Sequence, residues 1–139
     1  MAHECHTFEH PADVGLEATA DTLAELYAAM AEALADFICP RSGVQARQRR
    51  TISVQAEDAE ALAVDFLSAV AGVIQTDRFA VASVDVTGAT QNAVEAQIAG
   101  EALDPGRHDI HTEVKAVTYH LLKVAHEHGR WTGRVILDL

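Results

Sequence analysis

At 139 residues the chain has the length of one domain, and 10 Lys and Arg against 21 Asp and Glu give a formal net charge of -11, which opposes the phosphate backbone and argues against nucleic-acid binding by the chain itself. Hydrophobic residues make up 49% and charged residues 22%, a balance that excludes general disorder. No apolar run approaches the ~18 residues of a membrane span, and Cys5 and Cys39 are too few for a disulfide framework and form no CxxC pair, so a protein of the reducing cytoplasm, neither exported nor membrane-embedded, is expected.

Along the chain, Val14, Leu16, Ala18 and Ala20 alternate with Gly15, Glu17 and Thr19, the period of a strand with one buried face. Thr22 and Glu25 form a capping box for a helix in which Leu23, Leu26, Tyr27, Met30, Leu34, Phe37 and Ile38 recur at helical spacing until Pro40. The run RSGVQARQRR gathers Arg41, Arg47, Arg49 and Arg50, and without interleaved aromatics it reads as a solvated loop between helix and strand. Ile52, Val54 and Ala56 mark a second strand, and Asp58 caps a second helix with Leu62, Phe66, Val70 and Ile74 on its buried line and Asp65 and Gln75 off it. A hairpin follows, with arms of about Ala80 to Thr87 and Ala93 to Gly100 joined by GATQN.

EALDPGRHDIH, with Pro105 and Gly106, breaks all periodicity and predicts a loop of about ten residues. TEVKAVTYHLLKVAHEHG is ambiguous between helix and strand, with its β-branched and aromatic residues favouring strand. HGRW predicts a turn, and the terminal RVILDL, apolar on both faces apart from Asp138, predicts a central strand. With no linker or repeat, the expectation is one domain over residues 1–139. Its class is α+β, a two-layer sandwich with two main helices packed on a largely antiparallel sheet.

Chemistry is sparsely signalled. No GxSxG elbow or GxxxxGK[ST] loop is present. His3, Cys5, His6 and His10, and separately His108, His111 and His120, lack the paired spacing of a zinc site. The carboxylates say more. Asp13 stands at the mouth of the first long strand between a rigid Pro11 and a permissive Gly15, and Asp138 is penultimate in an otherwise apolar strand. If those strands are neighbours, Asp13, Asp138 and the terminal carboxylate of Leu139 offer hard oxygen ligands to Ca²⁺ or Mg²⁺; otherwise they are a loop cap and a solvated strand end. In GEALDPGRHDIHTEVKAVTYH, an acid/base centre needs two groups within reach of a substrate, whereas Glu113 and Lys115, two apart, read as an ion pair on one strand face. A metal-dependent hydrolase or phosphotransferase using Asp13, Asp138 and His108 or His120 is one reading of such a set; a chaperone-like interaction module is another.

Three stretches, EHPADVGLEATADTLAELYAAMAEAL, GEALDPGRHDIHTEVKAVTYH and WTGRVILDL, together resemble the archease family in order and spacing over nearly the whole chain. The resemblance implies a non-catalytic protein cofactor of an RtcB-type RNA ligase, which promotes ligase guanylylation and multiple turnover in tRNA splicing and RNA repair. It also implies a divalent cation, Ca²⁺ foremost with Mg²⁺ as the alternative, held by Asp13 and Asp138 with Leu139. Lys115 matches a position associated with activation, and His108 and Glu113 fall in the same motif. Pro11 stands where the family more often has Thr, which stiffens the approach to Asp13 and removes a hydroxyl.

Overall fold

The computed structural model describes residues 13–139 together with the backbone of the short strand β1 (His3–Glu4). The elements that follow are β2 (Asp13–Ala20), α1 (Leu23–Ile38), β3 (Gln48–Gln55), α2 (Ala59–Gln75), β4 (Phe79–Ala89), β5 (Ala93–Ala102), β6 (Ala116–Glu127) and β7 (Arg130–Asp138). All strand pairs are antiparallel, so the α+β class stands, but the strands divide into two sheets, ordered β1-β2-β7-β6 and β3-β5-β4.

Both helices begin where the caps place them. The Thr22 hydroxyl accepts from Glu25 N–H at 3.1 Å, and the Asp58 carboxylate accepts from Ala61 N–H at 2.8 Å, each satisfying an otherwise orphaned first-turn donor. The apolar stripe of α1 buries Leu26, Tyr27, Met30, Leu34 and Ile38. In α2 the stripe is Leu62, Phe66, Leu67, Val70 and Ile74. The helices meet where the Tyr27 and Phe66 rings pack edge-on, their centroids 5.7 Å apart. Burial holds the Tyr27 phenol up to about 12 while its hydroxyl donates to Ala59 O.

The helix pair serves both sheets: α1 packs on β2, β7 and β4, and α2 on β6, β3, β4 and β5. Terminal strand β7 is central, with Val135 and Leu137 fully buried between β2 and β6. Its hairpin with β6 closes through His128 and Gly129, both at positive φ, 53° and 78°, the two-residue geometry that matches strand twist.

Some boundaries move. Strand β3 begins at Gln48, so Arg49 and Arg50 are strand residues rather than loop residues. The first hairpin's arms are longer than the turn signals imply, leaving only Thr90 to Asn92 between them. Strand β5 runs to Ala102, which places Glu101 in a strand and not in the following loop. Strand β6 starts at Ala116, so Glu113 and Lys115 precede it, and no ion pair joins them among the described residues.

Two glycines mark close approaches. A Cβ at Gly133 would stop 2.5 Å from Met30 Sδ, so the missing side chain lets α1 sit directly on β7. At Gly100 a Cβ would collide with the Ala80 carbonyl oxygen and lie 2.8 Å from the Phe79 ring. Overpacking a core costs roughly 1–3 kcal/mol, and more where backbone must yield. Gly100→Ala should therefore destabilise more than Gly133→Ala, where the flexible Met30 thioether can turn aside; urea denaturation of both variants checks the order, and the reverse order contradicts this account.

Candidate functional site

The β2–β7 ladder sets the geometry of the acidic tip. Its register runs Asp13↔Asp138, Val14↔Leu137, Gly15↔Ile136 and Leu16↔Val135, so the first residue of one strand faces the last of the other. Directly opposed residues project to the same side of a sheet, with Cβ atoms roughly 4.5–5.5 Å apart. The buried partners Val14 and Leu137 fill the core side, which sends both aspartates outward: Asp13 is exposed and Asp138 half-buried. On the other side of β7, Ala116 pairs with Asp138, and the Lys115 N–H donates to Asp138 O at 2.8 Å. Asp13, Asp138, Leu139 and Lys115 thus meet at one end of the first sheet.

Gly15, just beyond, is an ordinary strand position, since a Cβ there would lie 3.5 Å from Ile136 Cδ1. Pro11, Cys5, His6 and His10 lie outside the described residues, as do the side chains of His3 and Glu4. The two registered carboxylates beside a half-buried Leu139 are hard oxygen groups that could hold Ca²⁺ or Mg²⁺, with water and main-chain oxygen to complete the shell. Among the described residues no three His, Cys, Asp or Glu side chains gather into a metal cluster, so the acidic tip offers two side-chain carboxylates and no more.

His108 and Glu113 are elsewhere. His108 is 5% exposed, and both its ring nitrogens are engaged: Nδ1 accepts from Asp104 N–H at 2.9 Å and Nε2 donates to Glu101 Oε2 at 3.0 Å. That leaves it no free nitrogen for a ligand or a proton transfer. Glu113 is exposed at the mouth of a cavity of about 160 Å³ lined by Ile38, Cys39, Ile74, Leu103 and Ile110. Cys39 is a buried free thiol whose pKa is pushed up by burial and by the charges of Asp109 and Asp36, so it is a poor nucleophile. His120 is exposed on an excursion of β6.

A second polar centre was not legible as such. Glu101, 4% exposed, receives both Arg107 guanidinium nitrogens at 3.0 and 3.1 Å, the Gln45 N–H at 2.9 Å, His108 Nε2 and, at 3.3 Å, Arg47 Nε. The cluster ties the loop after α1 and the loop after β5 to one strand. Its only sequence signal is a pair of basic residues six and seven positions after a Glu at the end of an apolar strand; Arg47, 54 positions earlier, is not foreseeable. The other arginines also have local roles, Arg41 with Asp36 and Glu32 and Arg50 with Asp77 and the Phe79 ring. A third clasp is Gln75, whose side chain donates to Val114 O at 2.9 Å and accepts from Val114 N–H at 2.7 Å, holding the approach to β6 against α2.

The Arg107 guanidinium, then the Gln45 N–H and His108, hold the Glu101 carboxyl at about 2, below its ordinary 4.5. A carboxyl depressed by folding contributes its full stability above the unfolded value, and that contribution disappears as pH falls through the folded value. Glu101→Gln should be less stable than the wild type at pH 7 and lose less stability between about pH 4.5 and about pH 2. Urea denaturation at several pH values checks this; parallel losses in the two proteins contradict it.

Comparison with known proteins agrees with the layout. The model of the Archease protein family (MTH1598/TM1083) matches residues 6–139. A protein archease of Methanopyrus kandleri is 34% identical over 134 residues, covering 94% of this chain and 96% of the relative. One from Pyrococcus abyssi is 32% identical over 136 residues, covering 95% and 96%. The solution structure of protein 1598 of Methanobacterium thermoautotrophicum superposes with a TM-score of 0.76 at 28% identity, covering 95% of this chain and 96% of that one. A Thermotoga maritima crystal structure described as an archease, possible chaperone, shares the fold at a TM-score of 0.62 and 19% identity, with both chains covered completely. No helix among the described residues is long and apolar enough to cross a membrane. The chain belongs to the archease family.

Proposed function

We propose that this protein is a metal-binding, non-catalytic activator of an RtcB-type RNA ligase, promoting ligase guanylylation and multiple turnover in tRNA splicing and RNA repair. The observation that carries the reading is the register of Asp13 against Asp138 at the end of a sheet in an archease-family chain. Like charges directly opposed across strands are destabilising, so a site built this way favours a bound cation. Asp13 and Asp138 would hold Ca²⁺, or Mg²⁺, with Leu139 contributing a main-chain oxygen. Held there, such an ion would supply local positive charge at an otherwise acidic tip, suited to a carboxylate- or phosphate-bearing surface.

The chain's own part is positioning. Lys115, whose N–H donates to Asp138 O, has its backbone fixed at the same end of the sheet and its side chain exposed, a cationic group within the proposed partner-facing region. With both His108 nitrogens engaged, a hydrolase built on Asp13, Asp138 and His108 lacks its proton carrier, so of the two histidines in that reading only the exposed His120 is left to supply one. An activator must bind one state of the ligase more tightly than another, because equal affinity for both shifts nothing.

Ligation of an RNA with 2′,3′-cyclic-phosphate and 5′-hydroxyl ends, with the ligase substoichiometric to RNA, tests the proposal. Wild-type protein should carry the reaction through many turnovers. Asp13→Ala should fold and bind the ligase yet fail to stimulate; loss of affinity instead would make the cation a structural pin for the strand ends. Absence of stimulation by the wild type overturns the proposal.

A further inference from the structure

Between Thr118↔Ile136 and Lys123↔Arg134, strand β6 passes four residues, Tyr119 to Leu122, opposite the single residue Val135 of β7. The excursion lies on an edge strand of the first sheet. It is held, not frayed. Leu121 sits at φ 55°, a conformation costly for a branched aliphatic side chain, and Arg134 Nε donates to its carbonyl at 3.0 Å. Thr118 Oγ1 donates to Ile136 O at 3.0 Å and accepts from His120 N–H, and Leu122 turns back to pack on the core.

The result is an outward display of apolar surface. Tyr119 is 59% and Leu121 57% exposed, and with Ile110 they are the exposed large hydrophobic side chains among the described residues. Single exposed apolar residues are unremarkable, but two within three positions on a fixed excursion form a patch. A bulge that merely protected the sheet edge from pairing would do so with polar or charged side chains. Charge is distributed unevenly too: four of the chain's 10 Lys and Arg, but only two of its 21 Asp and Glu, fall between residues 114 and 139. Lys123 and Arg134, the first pair after the excursion, flank it with two cationic groups on a protein that is otherwise strongly acidic: Arg134 holds the Leu121 carbonyl, and Lys123 also pairs with Glu127 at 2.8 Å.

We infer that the bulge at residues 119–122 is a docking knob for a protein partner, with Tyr119 and Leu121 entering an apolar pocket whose rim carries carboxylates. An aromatic and an aliphatic anchor flanked by charge is the anatomy of an interface hot spot with a steering rim. A protein fits better than a nucleic acid, because one tyrosine is a minimal stacking platform, Leu121 offers no stacking face, and the rest of the molecule repels phosphate. The inference rests on the activator reading, with the ligase as the partner, and supplies that reading with a surface apart from the acidic tip.

The test measures affinity of the full-length protein for the ligase across a salt series, beside a labelled single-stranded RNA and sedimentation of the protein alone. Tyr119→Ser/Leu121→Ser should keep the wild-type circular dichroism and melting profile while binding the ligase at least about tenfold more weakly. Lys123→Glu leaves both apolar side chains in place and keeps the test open if the double variant folds poorly; it should weaken binding and flatten its salt dependence. Wild-type affinity in the folded variants overturns the docking knob and leaves the activator reading intact. Unchanged ligase affinity with loss of RNA binding, or of self-association, overturns it in favour of a nucleic acid or a second copy. A wild type that neither binds nor stimulates the ligase removes the activator reading and the inference with it.

Discussion

Everything at the working end of this molecule depends on the eight-pair ladder between its first long strand and its last. Strand β2 pairs with β7 from Asp13↔Asp138 to Ala20↔Trp131 without a register shift. Because side chains alternate with period two, that register simultaneously buries Val14, Leu16, Val135 and Leu137 and turns Asp13 and Asp138 outward on one face. A slip by one residue would exchange the two sets, burying carboxylates and exposing the core. The same hydrophobic burial that fixes the fold therefore fixes two carboxylates side by side. Gly133 reinforces the arrangement by letting Met30 and Leu26 of α1 approach β7 closely.

Around this ladder the molecule separates what is locked from what is displayed. Glu101 is enclosed by Arg107, Arg47, His108 and the Gln45 amide, so the loops after α1 and β5 have little freedom to rearrange. Gln75 clasps Val114 at the approach to β6. Beyond those clasps, Lys115 just before β6, the registered aspartates of β2 and β7, and the Tyr119–Leu121 excursion of β6 belong to the first sheet. A partner would meet groups that rigid elements already hold in place, which lowers the ordering cost of recognition.

Much of this was legible in the sequence because it is locally encoded. The Thr22 and Asp58 caps, the helical spacing from Leu23 to Ile38 and the two-sided apolar run RVILDL each report on neighbours within a few positions. The division into two sheets was not legible, since strand periodicity says which face is buried and not which strand lies alongside. Nor was the Glu101 cluster, which needs a partner 54 positions away, or the His108 side chain's confinement within it. The bulge was hidden for a different reason: nothing in TYHLL marks Leu121 for a positive φ, and the Arg134 bond that holds its carbonyl comes from the neighbouring strand. For Asp13 and Asp138 the residues alone left two readings open; family resemblance favoured a shared site, and the strand register supplies the neighbourhood that spacing could not.

The proposed function requires that the opposed carboxylates of Asp13 and Asp138 be neutralised by a divalent cation. Melting temperature measured in chelator and in Ca²⁺, for the wild type, Asp13→Asn and Asp138→Asn, tests it most directly. The account predicts that Ca²⁺ raises the wild-type midpoint, and that either substitution erases this gain while leaving stability in chelator unchanged or higher, because a repulsion has been removed. A Ca²⁺ gain that survives in both variants, or a wild type indifferent to Ca²⁺ and Mg²⁺ alike, would contradict it.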